Sequence, residues 1–336
     1  MIEARLYEKL DNQRVRCFLC SHHCLIKHGA VGICGVRENK GGTLYSLVYG
    51  KVIARNIDPI EKKPLFHFLP GSRSYSIATV GCNFKCRFCQ NSDISQMVVD
   101  QNRIWGEETS PESIVEQALR GRSETISYTY TEPTIYFEFA LDTARVAAQK
   151  GVRNVFVTNG FMTEECLREI HPDLHAANVD LKAFTEGFYK KQCGARLAPV
   201  MKSIEAMVKT GVWVEVTTLL IPGLNDSEEE LRSIADFLVG LDAGIPWHIS
   251  RFHPTYKLMD VNATPPESVR RAREIGLERG VKYVYTGNLP GDGGEKTLCA
   301  NCGELLIDRY GFTVRKNLIQ NGACPKCGSA IPGVWK

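Results

Sequence analysis

Three cysteines in one short segment constrain this chain more than any other feature. Cys82, Cys86 and Cys89 stand in the sequence Gly81-Cys-Asn-Phe-Lys-Cys-Arg-Phe-Cys-Gln-Asn91. A closed structural metal site uses four protein ligands, whereas this segment supplies three thiolates. A cubic iron-sulfur cluster held by three cysteines keeps one iron without a protein ligand, and a substrate or cofactor can bind there. The spacing therefore predicts a reactive 4Fe-4S cluster, and the alternative is half of a zinc site completed from elsewhere in the chain.

The cysteine segment directly follows an apolar, strand-like run at residues 74–81. Together the two resemble the cluster loop of radical S-adenosylmethionine (radical SAM) enzymes. The resemblance implies that the open iron chelates the amino and carboxylate groups of SAM. It also implies that one electron from the cluster cleaves SAM to a 5′-deoxyadenosyl radical, that Phe88 faces the adenine, and that Gln90 belongs to the cofactor site.

Strand-like and helix-like segments alternate after the cysteine segment, which predicts a parallel sheet in the α/β class. The strand candidates are residues 74–81, 125–130, 154–158, 177–181, 212–220 and 247–252, with 281–285 as a further candidate. About six units predict a partial (β/α)6 barrel of the radical SAM kind, although an open doubly wound sheet fits the alternation equally well. We expect three parts: an N-terminal cysteine-rich metal module and strap (1–72), the barrel (73–287) and a C-terminal zinc-ribbon-like module (288–336).

Polar residues cluster near the ends of these strand candidates, in residues 128–134, 158–160, 180–182, 215–218 and 248–253. In parallel barrels, reactive groups gather at the C-terminal ends of the strands. We therefore expect one edge of the barrel to collect nearly all of them, including Glu215 and His248.

The sequence Thr131-Glu132-Pro133 stands where radical SAM enzymes usually have Gly-Gly-Glu-Pro. The resemblance implies that Glu132 and the neighbouring backbone at Thr131 accept hydrogen bonds from the methionyl ammonium of SAM, an anion-to-cation match. The alternative is an exposed carboxylate at a strand end. Tyr130 and Thr131 replace the two glycines, which makes the backbone geometry here an open question.

Three further contacts follow from the resemblance to activases of glycyl radical enzymes. Asp180 and Lys182 match the Asp-Leu-Lys element that contacts cofactor and substrate backbone, and the alternative is a surface ion pair. His253 matches a histidine near the cofactor at the last strand, although a lone histidine is often structural. Asn159 either reaches the cofactor or forms a turn with Gly160.

Four cysteines lie in the first forty residues: Cys17, Cys20, Cys24 and Cys34. His22 and His23 are alternative ligands nearby. Zinc and a second iron-sulfur cluster both fit this set. We favour zinc because four thiolates close the site and no electron-transfer role is required.

Four more cysteines end the chain, Cys299, Cys302, Cys324 and Cys327, as two C-x2-C pairs with a 21-residue spacer. This is zinc-ribbon spacing, and four thiolates make a closed structural site. The rival interpretation is an auxiliary iron-sulfur cluster. Residues 288–294 are rich in glycine and predict the linker to this module.

Composition adds modest bounds. The chain has 336 residues, thirteen cysteines and a formal net charge of +3, so nucleic-acid binding is not expected. The charged N-terminus does not resemble an export signal, no apolar run is long enough to cross a membrane, and we expect a cytoplasmic protein. In that reducing compartment, so many cysteines indicate metal ligation.

The segment from Asp58 to Gly71 looks like the entry segment of pyruvate formate-lyase-activating-enzyme relatives. With both outer cysteine groups, the whole chain resembles the radical enzyme of the AmmeMemoRadiSam group. The resemblance implies hydrogen abstraction from a small molecule or a partner-presented substrate, an electron donor such as a flavodoxin or ferredoxin, and Ammecr1-like and Memo-like partners. The alternatives are a glycyl-radical-enzyme activase and, in another class, a non-catalytic metal scaffold or nucleic-acid-binding module.

Overall fold

Short antiparallel strands build the N-terminal module. The structure, a computed structural model, describes residues 1–289 and 291–336; Pro290, in the predicted linker, lies outside the described residues. Two sheets, β1-β6-β5 and β2-β3-β4, contain most of this module. The pairing of β3 with β4 brings two of the cysteines together, since Cys17 N donates to Cys24 O at 3.0 Å. The strands are β1 (Ile2–Glu3), β2 (Tyr7–Leu10), β3 (Arg14–Cys17), β4 (Leu25–Ile26), β5 (Arg37–Lys40), β6 (Thr43–Ser46) and β7 (Lys51–Val52).

An eight-stranded sheet forms the centre of the molecule, in the order β16-β15-β14-β13-β12-β11-β9-β8. Seven strands of this sheet, β9 and β11 to β16, run parallel to one another. β8, which precedes residue 73, joins the sheet antiparallel to β9. The order follows the chain without the reversal of a doubly wound sheet, so that alternative is wrong. The strands are β8 (Ala54–Pro59), β9 (Arg73–Ala78), β10 (Glu107–Glu108, paired with β7), β11 (Thr125–Tyr128), β12 (Arg153–Thr158), β13 (Ala176–Asp180), β14 (Trp213–Leu220), β15 (Trp247–Arg251) and β16 (Val284–Gly287).

Six helices connect the parallel strands, because each crossover between parallel neighbours needs a long connection. These are α3, α4, α5, α7, α8 and α9, and their apolar faces pack on the sheet to form the main core. None of the helices in the described part of the chain is long and apolar enough to cross a membrane. The helices are α1 (Ser92–Ser95), α2 (Met97–Gln101), α3 (Pro111–Arg120), α4 (Phe137–Gln149), α5 (Glu164–Ile170), α6 (Glu186–Phe188), α7 (Leu197–Lys209), α8 (Glu228–Asp242) and α9 (Pro266–Glu278), with short helical turns at Ile60–Lys62, Pro133–Tyr136, His171–Asp173 and Tyr189–Cys193.

Glu215 and His248 lie near the N-terminal ends of β14 and β15, at the opposite end of the barrel from the predicted edge. The fully buried Glu215 carboxylate accepts hydrogen bonds from the backbone of Phe66 at 2.9 Å and His67 at 2.7 Å. It also lies 2.7 Å from His248 Nε2. The prediction for these two residues was wrong because the interior of the barrel buries polar groups wherever a partner satisfies them. Here the partner is the strap, the segment from Asp58 to Gly71, which contributes Phe66 and His67.

The C-terminal module packs against this same end of the barrel. Its strands are β17 (Thr297–Leu298), β18 (Leu305–Tyr310) and β19 (Thr313–Asn317). His67 Nε2 lies 2.6 Å from the Tyr285 hydroxyl, and its Nδ1 lies 2.7 Å from Pro332 O. The buried Arg309 donates to Phe66 O at 2.6 Å. The strap thus joins the module to this end of the barrel.

Replacing Glu215 with alanine should lower the free energy of unfolding by about 3–5 kcal/mol, the cost of removing one partner from a buried pair. The N–H groups of Phe66, His67 and Trp213 would lose their acceptor. Urea denaturation under anaerobic conditions measures the change. Glu229→Ala, at an exposed position on α8, is the control and should change the free energy by no more than about 0.5 kcal/mol. An equally small loss for Glu215→Ala would contradict this account.

Candidate active site

The three central cysteines lie in the loop that leaves β9 at the C-terminal edge of the sheet. The turn Tyr189–Cys193 supports this loop, because Lys85 N donates to Cys193 O at 2.8 Å and Arg87 N donates to Gln192 O at 3.0 Å. The three sulfur atoms thus belong to one loop that is fixed through its own backbone.

The local environment disfavours free thiolates. Burial raises the pKa of Cys82 and Cys89. Contact with the Cys193 side chain, followed by burial, raises the pKa of Cys86. A metal centre supplies the positive charge that stabilises such thiolates. Three soft sulfur donors in this setting fit an iron-sulfur cluster.

Glu132 is buried beside the cluster loop, with 2% of its surface exposed, so the interpretation as an exposed strand-end carboxylate is wrong. Its Oε1 accepts hydrogen bonds from Thr134 N at 3.1 Å, Thr134 Oγ1 at 2.6 Å and Thr158 Oγ1 at 2.7 Å. Its Oε2 accepts one, from Asn159 N at 2.8 Å. Burial raises the pKa of Glu132, although these hydrogen bonds act to lower it. Oε2 is therefore the less saturated of the two oxygens.

Asn159 connects Glu132 to the cluster loop. Its Nδ2 donates to Asn83 Oδ1 at 2.7 Å and lies 3.9 Å from Cys82 Sγ. Its Oδ1 accepts from Phe161 N at 3.0 Å, so the residue also shapes the turn with Gly160. Asn159 therefore shapes the turn with Gly160 and also lies beside Cys82.

Tyr130 adopts the left-handed backbone conformation that glycine favours, with φ of +62°. Such a conformation costs a residue with a side chain about 1–2 kcal/mol. The strap supplies compensating contacts: the Tyr130 hydroxyl donates to Asp58 Oδ2 at 2.5 Å, and Lys63 Nζ lies 4.6 Å from the ring centre. Thr131 Oγ1 donates to Thr79 O at 2.8 Å. Of the two residues that stand in place of the glycines, Tyr130 is thus held in the left-handed backbone conformation that glycine favours.

Asp180 and Lys182 form an ion pair at the end of β13, with 2.9 Å between Oδ2 and Nζ. The Lys182 ammonium lies 5.8 Å from the centre of the buried Phe88 ring. Burial lowers the pKa of Lys182, but the charges of Asp180 and Cys86 outweigh it and raise the pKa well above its usual value. The pair therefore lies beside the cluster loop, and Lys182 stays protonated there.

The remaining expected cofactor contacts are exposed. Gln90 directly follows Cys89, and His253 lies two residues beyond β15 at the same edge of the sheet. Cys193, a lone cysteine before Gly194, is fully buried, as expected for a small apolar residue. Its contact with Cys86 has no signal in the sequence.

The four terminal cysteines form a compact group, with all four sulfur atoms within 4.8 Å of one another. Cys299 Sγ lies 3.6 Å from Cys327 Sγ, and Cys302 Sγ lies 3.7 Å from Cys324 Sγ. This group can bind one metal ion. The four N-terminal cysteines instead line a cavity in their own module.

Comparison with known proteins agrees with this site. The model of the Radical SAM superfamily matches residues 76–238. An uncharacterized protein of Methanocaldococcus jannaschii is 49% identical over 334 residues, which cover 98% of this chain and 99% of that protein. The chain belongs to the radical SAM superfamily. A pyruvate formate-lyase-activating enzyme of Clostridium pasteurianum is 23% identical over 222 residues, which cover 60% of this chain and 89% of that enzyme.

Two solved structures share the fold of this chain. Streptococcus suis SuiB bound to S-adenosylmethionine superposes with a TM-score of 0.51 at 15% identity, covering 68% of this chain and 53% of SuiB. A radical SAM methyltransferase from Sphaerobacter thermophilus gives a TM-score of 0.51 at 17% identity and covers 71% of each chain. Radical SAM membership implies a 4Fe-4S cluster and SAM, and the loop at Cys82, Cys86 and Cys89 fits the cluster.

Proposed function

We propose that this protein is an enzyme that cleaves SAM reductively and abstracts a hydrogen atom from its substrate. The observation that carries the proposal is the loop of three buried or half-buried cysteines at the C-terminal edge of a parallel barrel, the edge where such barrels carry reactive groups. A 4Fe-4S cluster bound there would supply one electron and an open iron, and so generate the 5′-deoxyadenosyl radical. The chain's own residues hold and orient the cofactor.

Each of these residues has a proposed role. Glu132 Oε2, which accepts one hydrogen bond within the protein, would accept another from the SAM ammonium. The Asp180–Lys182 pair would contact the cofactor, because it lies next to Phe88 and Cys86. Phe88 would pack on the adenine. Thr131, Asn159, Gln90 and His253 complete the proposed cofactor site.

We propose a small molecule, or a substrate presented by a dedicated partner protein, as the hydrogen donor. The N-terminal module covers one side of the site: Ser21 N donates to Phe161 O at 3.0 Å, and His22 Nε2 lies 2.8 Å from Asn83 O. We further propose membership in the AmmeMemoRadiSam group, with Ammecr1-like and Memo-like proteins as partners. A flavodoxin or ferredoxin would supply the electron.

A second candidate is activation of a glycyl radical enzyme. Two observations favour it: the relatives named as activating enzymes, and the position of the C-terminal module at the far end of the barrel. That position leaves room for a partner enzyme at the reactive edge. A stoichiometric glycyl radical in a candidate partner enzyme, detected by electron paramagnetic resonance, would favour activation. Stimulation of 5′-deoxyadenosine formation by a small molecule alone would favour the first candidate.

The loop assignment predicts the effect of replacing Cys82, Cys86 and Cys89 together with alanine. The anaerobically reconstituted wild-type protein should show a cluster signal that changes on adding SAM, and the triple variant should lose that response. Conversion of SAM to methionine and 5′-deoxyadenosine should stop as well. Cys166→Ala, at a buried cysteine on α5, is the matched control and should keep both properties. A SAM-responsive signal in the triple variant would show that the loop does not hold the cluster.

Glu132→Gln should weaken SAM binding by about 10-fold to 150-fold, since a hydrogen bond to a charged group is worth about 1.5–3 kcal/mol. Equilibrium binding of SAM to the reconstituted protein measures this. The iron content should stay at the wild-type level, because Glu132 is not a ligand. The exposed Glu165→Gln is the control and should bind SAM normally. Unchanged affinity in Glu132→Gln would remove this residue from the cofactor site.

We propose zinc for the C-terminal group. Tetrahedral zinc, with about 2.3 Å between zinc and sulfur, separates the sulfur atoms by about 3.8 Å. The observed pairs at 3.6 and 3.7 Å support a single ion of this size over an iron-sulfur cube. Such a site holds a small module together, because the module's own core is too small to do so.

The zinc proposal predicts about one zinc per chain at the terminal group of the purified protein. Replacing Cys302 and Cys327 together with alanine should remove that zinc while the SAM-responsive cluster signal persists. Elemental analysis combined with the spectroscopy of the loop cluster decides the point. Zinc that is insensitive to the double substitution, or iron in place of zinc at this group, would contradict the proposal.

A further inference from the structure

A cavity lies among the four cysteines of the N-terminal module. Its wall includes Cys17, Cys20, Cys24 and Cys34, and the rest of the wall is mostly apolar. All four are free thiols. Gly32 also lines this space, and a Cβ there would lie 3.3 Å from Ile26 Cδ1 and 3.7 Å from Cys24 Sγ. The glycine thus keeps open a space that a side chain would fill.

The spacing of the N-terminal sulfur atoms differs from that of the terminal group. Among the residues that the structure describes, only the terminal group brings three or more cysteine, histidine or carboxylate ligand atoms within 4.8 Å of one another. A single tetrahedral zinc ion requires sulfur atoms about 3.8 Å apart. In an iron-sulfur cube each thiolate binds a different iron, so the sulfur atoms stand farther apart around a larger object. The N-terminal sulfur atoms are not gathered at the spacing of a single ion, which favours the larger group.

Arg37, which lines the same cavity, carries an unpaired donor. Its side chain is 2% exposed. Nη2 donates to Glu138 Oε1 at 2.8 Å and to Arg5 O at 2.6 Å, and Nη1 donates to Glu138 Oε2 at 3.4 Å. Its Nε is buried without a hydrogen-bond partner. A buried unpaired donor costs about 1–3 kcal/mol of stability, and the cost is greater when the group is charged. The sulfur atoms of an anionic cluster would supply the acceptor.

We propose that Cys17, Cys20, Cys24 and Cys34 bind a second 4Fe-4S cluster, with Arg37 Nε donating to one of its sulfur atoms. Ligand count alone favoured zinc at the sequence level, and the cavity and the unpaired Arg37 Nε reverse that preference. Four cysteines leave no iron open, so this cluster cannot bind SAM. It is suited to electron transfer.

The second cluster would adjoin the first cluster loop. A Cβ at Gly81, the residue before Cys82, would lie 3.3 Å from Cys34 O. His22, in the cavity wall, has its Nε2 2.8 Å from Asn83 O. One electron from a flavodoxin or ferredoxin could therefore pass through this cluster to the loop. That role rests on the proposed function, whereas the metal content of the site does not.

The metal content is tested in the variant with Cys82, Cys86 and Cys89 replaced by alanine. After anaerobic reconstitution with iron and sulfide, it should retain about four iron and four sulfide per chain, against about eight of each in the wild type. On reduction, its paramagnetic signal should not respond to SAM. Failure of the loop assignment would appear separately, as equal iron contents in the variant and the wild type.

Two further substitution pairs, each made in that triple variant, locate the retained iron. Cys24→Ala with Cys34→Ala should remove it. Cys302→Ala with Cys327→Ala is the matched control and should remove zinc but leave the iron. The proposal is overturned if the triple variant holds about two zinc and no iron, or if its iron depends on the terminal pair.

Arg37→Lys tests the proposed hydrogen bond, since lysine keeps a positive charge near Glu138 but lacks the Nε–H group. Loss of a donor to cluster sulfur should lower the reduction potential of the second cluster. A redox titration of the triple variant, with and without Arg37→Lys, measures this. An unchanged or raised potential would exclude Arg37 as the donor.

Discussion

The buried carboxylate of Glu132 is the interaction on which the reactive edge depends. It accepts hydrogen bonds from the ends of two structural units, the turn after β11 and the end of β12. Through Asn159 it fixes Asn83 and the surroundings of Cys82. An anion at this point thus orders the loop, and in the proposed function it would also accept a hydrogen bond from SAM. Removing its charge is expected to weaken SAM binding more than it lowers the free energy of unfolding.

The two ends of the barrel have different roles. The C-terminal edge carries the cysteine loop, the Asp180–Lys182 pair and the contacts of the N-terminal module. The other end carries structural contacts: the strap inserts backbone N–H groups toward Glu215, and the terminal module docks on the strap. This division explains how the terminal cysteine group stays at the end of the barrel opposite the cysteine loop.

The parts of this account that depend on local spacing were predictable from sequence. The loop spacing, the terminal C-x2-C pairs and the alternation of strands and helices each have a short-range pattern. Glu215 was misplaced because its partners, Phe66 and His67, lie nearly 150 residues away in the chain. His248 was misplaced with it, because it pairs with Glu215 and packs against Phe66. Tyr130 could not be assigned a left-handed backbone because its support comes from Asp58 and Lys63 in the strap. The N-terminal cavity likewise could not be predicted from the number of cysteines, because it depends on how distant segments pack.

The central claim is that the loop holds a cluster whose fourth iron is open to SAM. Anomalous diffraction at the iron edge, from anaerobically grown crystals of the reconstituted protein with SAM, tests it most directly. The account predicts four iron atoms at the loop, three of them bound by Cys82, Cys86 and Cys89 and the fourth by the amino and carboxylate groups of SAM. A protein side chain on the fourth iron, or a zinc ion in place of the cluster, would contradict it.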